Sequence, residues 1–152
     1  MSFLSSVSTV EFLINVLEHG GGRHKEDAIY ALGKFKDREI FDFLSRYLSS
    51  RNFKEQINAA VALYNVKDYR DRAYHLIFSF LYSHNKEKIE CGLFAIGELG
   101  LKKRKEVCFH YLNSRNNDLR IHSAISLIKM GYQDGIPVIV NLLFDGSEDV
   151  KF

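Results

Sequence analysis

The apolar positions of the chain recur in paired short stretches, each with the three-and-four spacing of a helix that buries one face. A run of small and aliphatic residues leads, Ala28-Ile29-Tyr30-Ala31-Leu32-Gly33. A polar turn ends in Asp37, and a second stretch, Ile40-Phe41 with Leu44 and Tyr47-Leu48, closes the unit. The first stretch predicts a helix A and the second a helix B. The A anchors are Leu32, Leu63, Ile96 and Leu127, and the B anchors are Leu17, Leu48, Leu81, Leu112 and Leu143. Every B-to-A step is equal: 17 to 32, 48 to 63, 81 to 96 and 112 to 127. The A-to-B steps, 32 to 48, 63 to 81, 96 to 112 and 127 to 143, are equal except the second, which is longer by two. An insertion therefore sits around Asp68-Tyr69-Arg70-Asp71. A fixed period of about 30 residues across the chain predicts an all-α fold, an α-solenoid of helical hairpins.

The same spacing sets the predicted boundaries. A half unit covers 8–20, full units cover about 23–50, 53–84, 86–114 and 117–145, and the onset of a further unit covers 146–152, all within one repeat domain 1–152. Ser8-Thr9-Val10-Glu11 has the form of a capping box and predicts a helix start near Val10. Helix A then spans about His24 to Phe35, Lys54 to Val66, Lys86 to Leu99 and Asn117 to Met130. Helix B spans about Arg38 to Ser50, Arg70 to Ser83, Lys103 to Asn113 and Ile136 to Phe144. One helical turn before the A anchors stand Ala28, Ala59, Gly92 and Ser123, all small, as a close helix approach requires. Arg120 and Lys151, set against the turn carboxylates Asp37, Asp68 and Asp134, suggest a patchy ladder of ion pairs between neighbouring units.

Asp37 through Leu48, Leu119-Arg120 with Ser126-Leu127, and Gly135-Ile136-Pro137 with Ile139 and Leu143 resemble HEAT-type repeats. The resemblance is to the short form found in phycobilisome-lyase-like HEAT proteins, and it covers nearly the whole chain. It implies an armadillo-like α-α superhelix of HEAT-like hairpins whose B helices line a concave face. Ankyrin and tetratricopeptide repeats have similar periods. The Thr-Pro-Leu-His signature of the first is absent, and one Pro in 152 residues cannot supply the recurring proline of the second. HEAT hydroxylases of the deoxyhypusine type carry His-Glu pairs at the start of helix A. The equivalent pairs here are Glu26-Asp27, Ile57-Asn58, Glu90-Cys91 and Ile121-His122, so that activity is not implied.

Composition narrows the function classes. Hydrophobic residues at 46%, with 13% aromatic, suffice for a continuous core, whereas a net charge of +2 does not call for nucleic acid or an anionic membrane. No apolar run is long enough to span a bilayer, and Met1 to Ser6 lacks the charge and apolar region of a signal peptide. A cytoplasmic location with Cys91 and Cys108 as buried free thiols is expected. No phosphate-binding loop, nucleophile motif or close-spaced metal-ligand set stands in the chain, so no catalytic residue, metal or cofactor is expected.

Positions of the B helices out of phase with the core anchors give the candidate partner-binding residues. Phe78, Tyr82, Phe109 and Phe144 form an aromatic stripe, with Arg46, His75, His110 and Asn113 as polar neighbours. Lys102, Lys103, Arg104 and Lys105 form a basic patch at a helix start, where cations oppose the helix dipole by about 0.3–1 kcal/mol each. The expected function is a non-catalytic scaffold for a protein or peptide partner, with aromatic and Arg side chains as anchors. A phycobilin lyase-type HEAT subunit is the alternative, implied by the resemblance alone. Nucleic-acid binding through Lys102 to Lys105 is disfavoured by the slight basicity and the absence of Trp. Both ends are half units, so the expectation is a piece of a longer repeat array, ends capped by irregular contacts, or end-to-end self-association.

Overall fold

A computed structural model describes residues 3–145, and among them every regular element is helical. The elements are α1 (Phe3–His19), α2 (Gly22–Leu32), α3 (Arg38–Leu44) continued by a 3-10 turn (Ser45–Ser49), α4 (Phe53–Leu63) and α5 (Arg70–Leu81). After them come α6 (Lys86–Glu98), a 3-10 turn (Lys102–Arg104), α7 (Lys105–Leu112), α8 (Asn117–Lys129) and α9 (Gly135–Asp145). The all-α expectation therefore holds. The chain forms two compact units, Met1–Leu76 and Ile77–Phe152. The expected onset of another repeat at 146–152 lies outside the described residues. No described helix is long and apolar enough to cross a membrane.

Two boundaries differ most from expectation. Helix α1 starts at Phe3, so Ser8-Thr9-Val10-Glu11 lies inside a helix and is not its cap. In sequence, Phe3, Leu4 and Val7 extend the apolar spacing of Val10 and Ile14 upstream, and that period outweighs the local capping signal. Helix α3 makes only two turns before it tightens into the 3-10 turn. At that junction the Ser45 hydroxyl donates to the Asp42 carbonyl at 2.7 Å, a local bond of the kind that competes with the helix ladder.

The helix starts share a device that recurs with the repeat. The side-chain oxygens of Asn52, Asn85 and Asn116 cap α4, α6 and α8, accepting from Lys54 and Glu55, from Lys88, and from Leu119 respectively. Two positions earlier Ser50, Ser83 and Ser114 accept the backbone N–H of each Asn at 3.0–3.1 Å. Orphan amides at three A-helix starts are thus satisfied by one Ser-x-Asn motif. The two helix ends that precede α7 and α9 also match. Gly100 (φ +61) and Gly131 (φ +92) adopt the left-handed conformation. The next residues, Leu101 and Tyr132, donate back to Ile96 and Leu127 at 2.9 Å, which closes a Schellman turn.

Packing places the small residues where the sequence expects them. Ala28, Ala59, Gly92 and Ser123 are buried. A Cβ on Gly92 would lie 2.7 Å from the backbone of Leu81, and the Ser123 hydroxyl donates to the Cys108 carbonyl. A second set, at A-anchor positions +1 and −1, holds the A helices together. A Cβ on Gly33 would lie 2.6 Å from that of Ala62, and a Cβ on Gly97 would lie 2.8 Å from Ser126. Ser126 also donates to the Leu93 carbonyl at 2.7 Å, so α8 is pinned to α6 by a buried hydrogen bond.

The anchors Leu17, Leu32, Leu48, Leu63, Leu81, Ile96 and Leu127 are buried, but Leu112 is half-buried and Leu143 is exposed. A B anchor is covered by the next A helix: Gln56 on α4 reaches the Leu48 carbonyl, and Gly92 on α6 lies against Leu81. After Leu143 the described residues supply no such helix. Of the expected ion-pair ladder one rung forms, Arg38 with the turn carboxylate of Asp68 at 3.4 Å, and the other named residues find different partners. Arg120 donates to Asn117, and Asp37 caps α3 by accepting from Glu39 and Ile40. Lys151 lies outside the described residues. The pairs that do link consecutive A helices are Lys86 with Asp118 and Lys129 with Glu98. Hydrogen bonding from Lys86 holds the Asp118 carboxyl below the usual carboxylate range.

In urea unfolding, Asn116→Ala is expected to lose about 1 kcal/mol and Asn116→Asp to recover most of it. Gly97→Ala should lose about 1–3 kcal/mol through overpacking, despite alanine's better helix propensity. A Gly97→Ala midpoint at or above wild type would show that the α6–α8 approach is looser than described.

Candidate functional site

The densest grouping of the expected binding residues lies in the second unit. Phe78 lies on α5 and Tyr82 directly follows its end, donating its backbone N–H to the Phe78 carbonyl; their rings stack at 6.5 Å with 22° between planes. The Arg104 guanidinium sits 4.5 Å from the Phe78 ring centroid. Lys105 opens α7 with its ammonium 5.2 Å from the centre of Tyr132, and Phe109, one turn on, meets Tyr132 edge-on at 6.1 Å. Tyr82, Phe78 and Arg104 thus form one aromatic and cationic cluster, and Lys105, Tyr132 and Phe109 form a second, the two being joined in sequence at Arg104-Lys105. Tyr82 is 60% exposed, while Phe78 and Phe109 are half-buried. Each cation–π contact contributes roughly 0.5–1 kcal/mol at such sites. That offsets the penalty of placing cations at the start of α7 and fixes two heads of the basic run against rings. Lys102 and Lys103, in the 3-10 turn, stay exposed.

The other expected residues are distributed differently. Arg46, in the first unit, is exposed in the 3-10 turn after α3, 5.5 Å from the Phe43 ring centre. It borders an open groove of about 740 Å³ floored by Ile14, Leu32, Phe35 and Phe43. His75, also in the first unit, is exposed and edge-on to Tyr74 at 5.6 Å. In the second unit His110 is exposed and packs edge-on to Tyr111 at 4.9 Å. Asn113 is exposed at the C-terminal end of α7, and Phe144 is 68% exposed on α9.

Sequence reasoning missed Tyr132, which joins Lys105 to Phe109. Its signal was the repeat itself: it stands one repeat after Leu101, in the equivalent turn, as an aromatic replacing an aliphatic. It also missed the groove residues Phe35 and Phe43, which stand close in sequence to the buried Leu32 and Leu44.

Among the described residues no group of three His, Cys, Asp or Glu side chains is placed to hold a metal ion. Cys91 and Cys108 are buried free thiols, as expected. Burial pushes the Cys108 thiol up to about 12, which keeps it protonated and unreactive near neutral pH. Neither the protein-family models nor the curated proteins compared with the chain match it.

The raised thiol gives a pH dependence. A group whose pKa is higher in the folded state favours folding less as pH rises past its unfolded value, about 8.5 for a thiol. Stability should therefore fall between pH 8 and 10, with a shallower fall in Cys108→Ala. Parallel slopes for the two proteins in urea titrations would contradict the burial of this thiol.

Proposed function

We propose that the chain is a non-catalytic α-solenoid module of HEAT-like hairpins that binds a protein or peptide partner along the surface of its B helices. The observation that carries this reading is the surface of Tyr82, Phe78, Arg104, Lys105, Tyr132 and Phe109. It pairs large rings with oriented cations, the composition of interface anchors. The hairpin order, the constant B-to-A spacing and the recurring Ser-x-Asn starts support the repeat architecture. Lys102 and Lys103, exposed beside the rings, favour a partner segment that carries carboxylates around an apolar anchor. The groove beside Arg46 and Phe43 offers the same pairing of ring and guanidinium on the first unit.

The test is quantitative capture of partners from the native cell by the wild type and by Tyr82→Ala and Arg104→Ala, with circular dichroism as the folding control. Loss of at least one shared partner by tenfold or more in both variants is expected, since truncating an interface anchor costs roughly 2 kcal/mol or more. An unchanged set of partners would remove this surface from the function. Binding of single-stranded RNA that weakens steeply with salt would favour the nucleic-acid reading instead.

A further inference from the structure

The α8–α9 hairpin presents an aliphatic face that the other described residues leave open. Ile125 and Ile128 on α8, with Ile136, Val140 and Leu143 on α9, are between 40 and 70% exposed. Helices α6 and α7 use the corresponding places against α8 and the turn that follows it. Gly97, one repeat before Ile128, lies against Ser126. Lys105 and Phe109, one repeat before Ile136 and Val140, lie against Tyr132. Leu143 is a B anchor, and Leu81, the anchor that opens this unit, lies against Gly92 of the next helix. All these positions point to the side on which a following element sits.

Ile128 decides what can sit there. The two sites of closest A-helix approach use glycine at this place, Gly33 against Ala62 and Gly97 against Ser126, where even a Cβ would lie 2.6–2.8 Å away. A branched isoleucine rules out the same close approach, so the face fits a flatter apolar surface at wider spacing. These five positions carry aliphatic groups only, so they call for no charge-complementary partner and can meet themselves without like-charge contact. The five side chains expose roughly 400 Å² per copy, in the range of a functional patch. Doubled across a two-fold axis, that area is about 800 Å², the size of a weak and transient interface.

We infer that a second copy of this chain docks here, α8–α9 face to α8–α9 face, as an isologous dimer. It forms through residues separate from the Tyr82–Arg104 surface and needs no other partner. Sedimentation of the full chain is expected to show monomer near about 1 µM and dimer near about 100 µM. Ile128→Lys and Ile128→Glu, at an exposed position, should each weaken self-association at least tenfold with helicity unchanged. An equimolar mixture of the two should restore a dimer, because position 128 of one copy faces the same region of the other. Leu143→Lys supplies a second, independent disruption. A wild type that stays monomeric near about 100 µM, species that grow beyond dimer, variants that dimerise as wild type does, or a mixture that stays monomeric would each overturn the inference.

Discussion

Where Gly97 meets Ser126, two helices come so close that a single methyl group would collide with backbone. Gly33 against Ala62 and Gly92 against Leu81 repeat the contact elsewhere in the chain. Interiors are packed as densely as crystals, so these positions fix the spacing between the helices they join, and with it which side chains face a neighbour. Ser126 shows the consequence: it is small enough for the approach, and its hydroxyl is then near enough to bond the Leu93 carbonyl. The cation–π contacts follow from the same placement. Tyr132 lies under Lys105 and beside Phe109 because the Schellman turn at Gly131 delivers it just after α8 ends.

The helix starts reinforce that spacing. Ser-x-Asn is short, polar and local, so it ends one helix and starts the next within a few residues. Lys86 with Asp118 and Lys129 with Glu98 tie the rims of α6 and α8. The exposed pair of Lys86 and Asp118 adds little stability. The buried contacts between small residues set the distance.

The helices were legible because their information is periodic. A constant step repeated four times survives changes at any single position, and the small residues at Ala28, Ala59, Gly92 and Ser123 pointed directly to buried contacts. The start of α1 was obscured because Ser8 to Glu11 fits a cap as well as it fits a helix interior, and only the apolar spacing of Phe3, Leu4 and Val7 distinguishes them. The exposure of Leu143 was hidden because the burial of an anchor depends on the next helix in the chain, which no local pattern reports. The interaction surface was half legible. Phe78, Tyr82 and Phe109 share helical phase, and Lys102 to Lys105 is a visible run, but that Arg104 and Lys105 lie over Phe78 and Tyr132 depends on how four elements converge. Arg46, His75, His110 and Asn113 have the right phase for a common face. Phase alone did not say that Arg46, His75 and His110 would each find an aromatic neighbour of its own.

The most direct measurement is a double-mutant cycle at the approach of α2 to α4, with Gly33→Ala, Ala62→Gly and the pair together followed by urea unfolding. Each single change should destabilise, the first by collision and the second by loss of helix propensity. The pair should recover stability, with a coupling of roughly 0.5–3 kcal/mol, because the methyl group has only changed sides. Additive losses would mean that the two helices are not held in contact at this point, and the spacing that organises the chain would have to come from elsewhere.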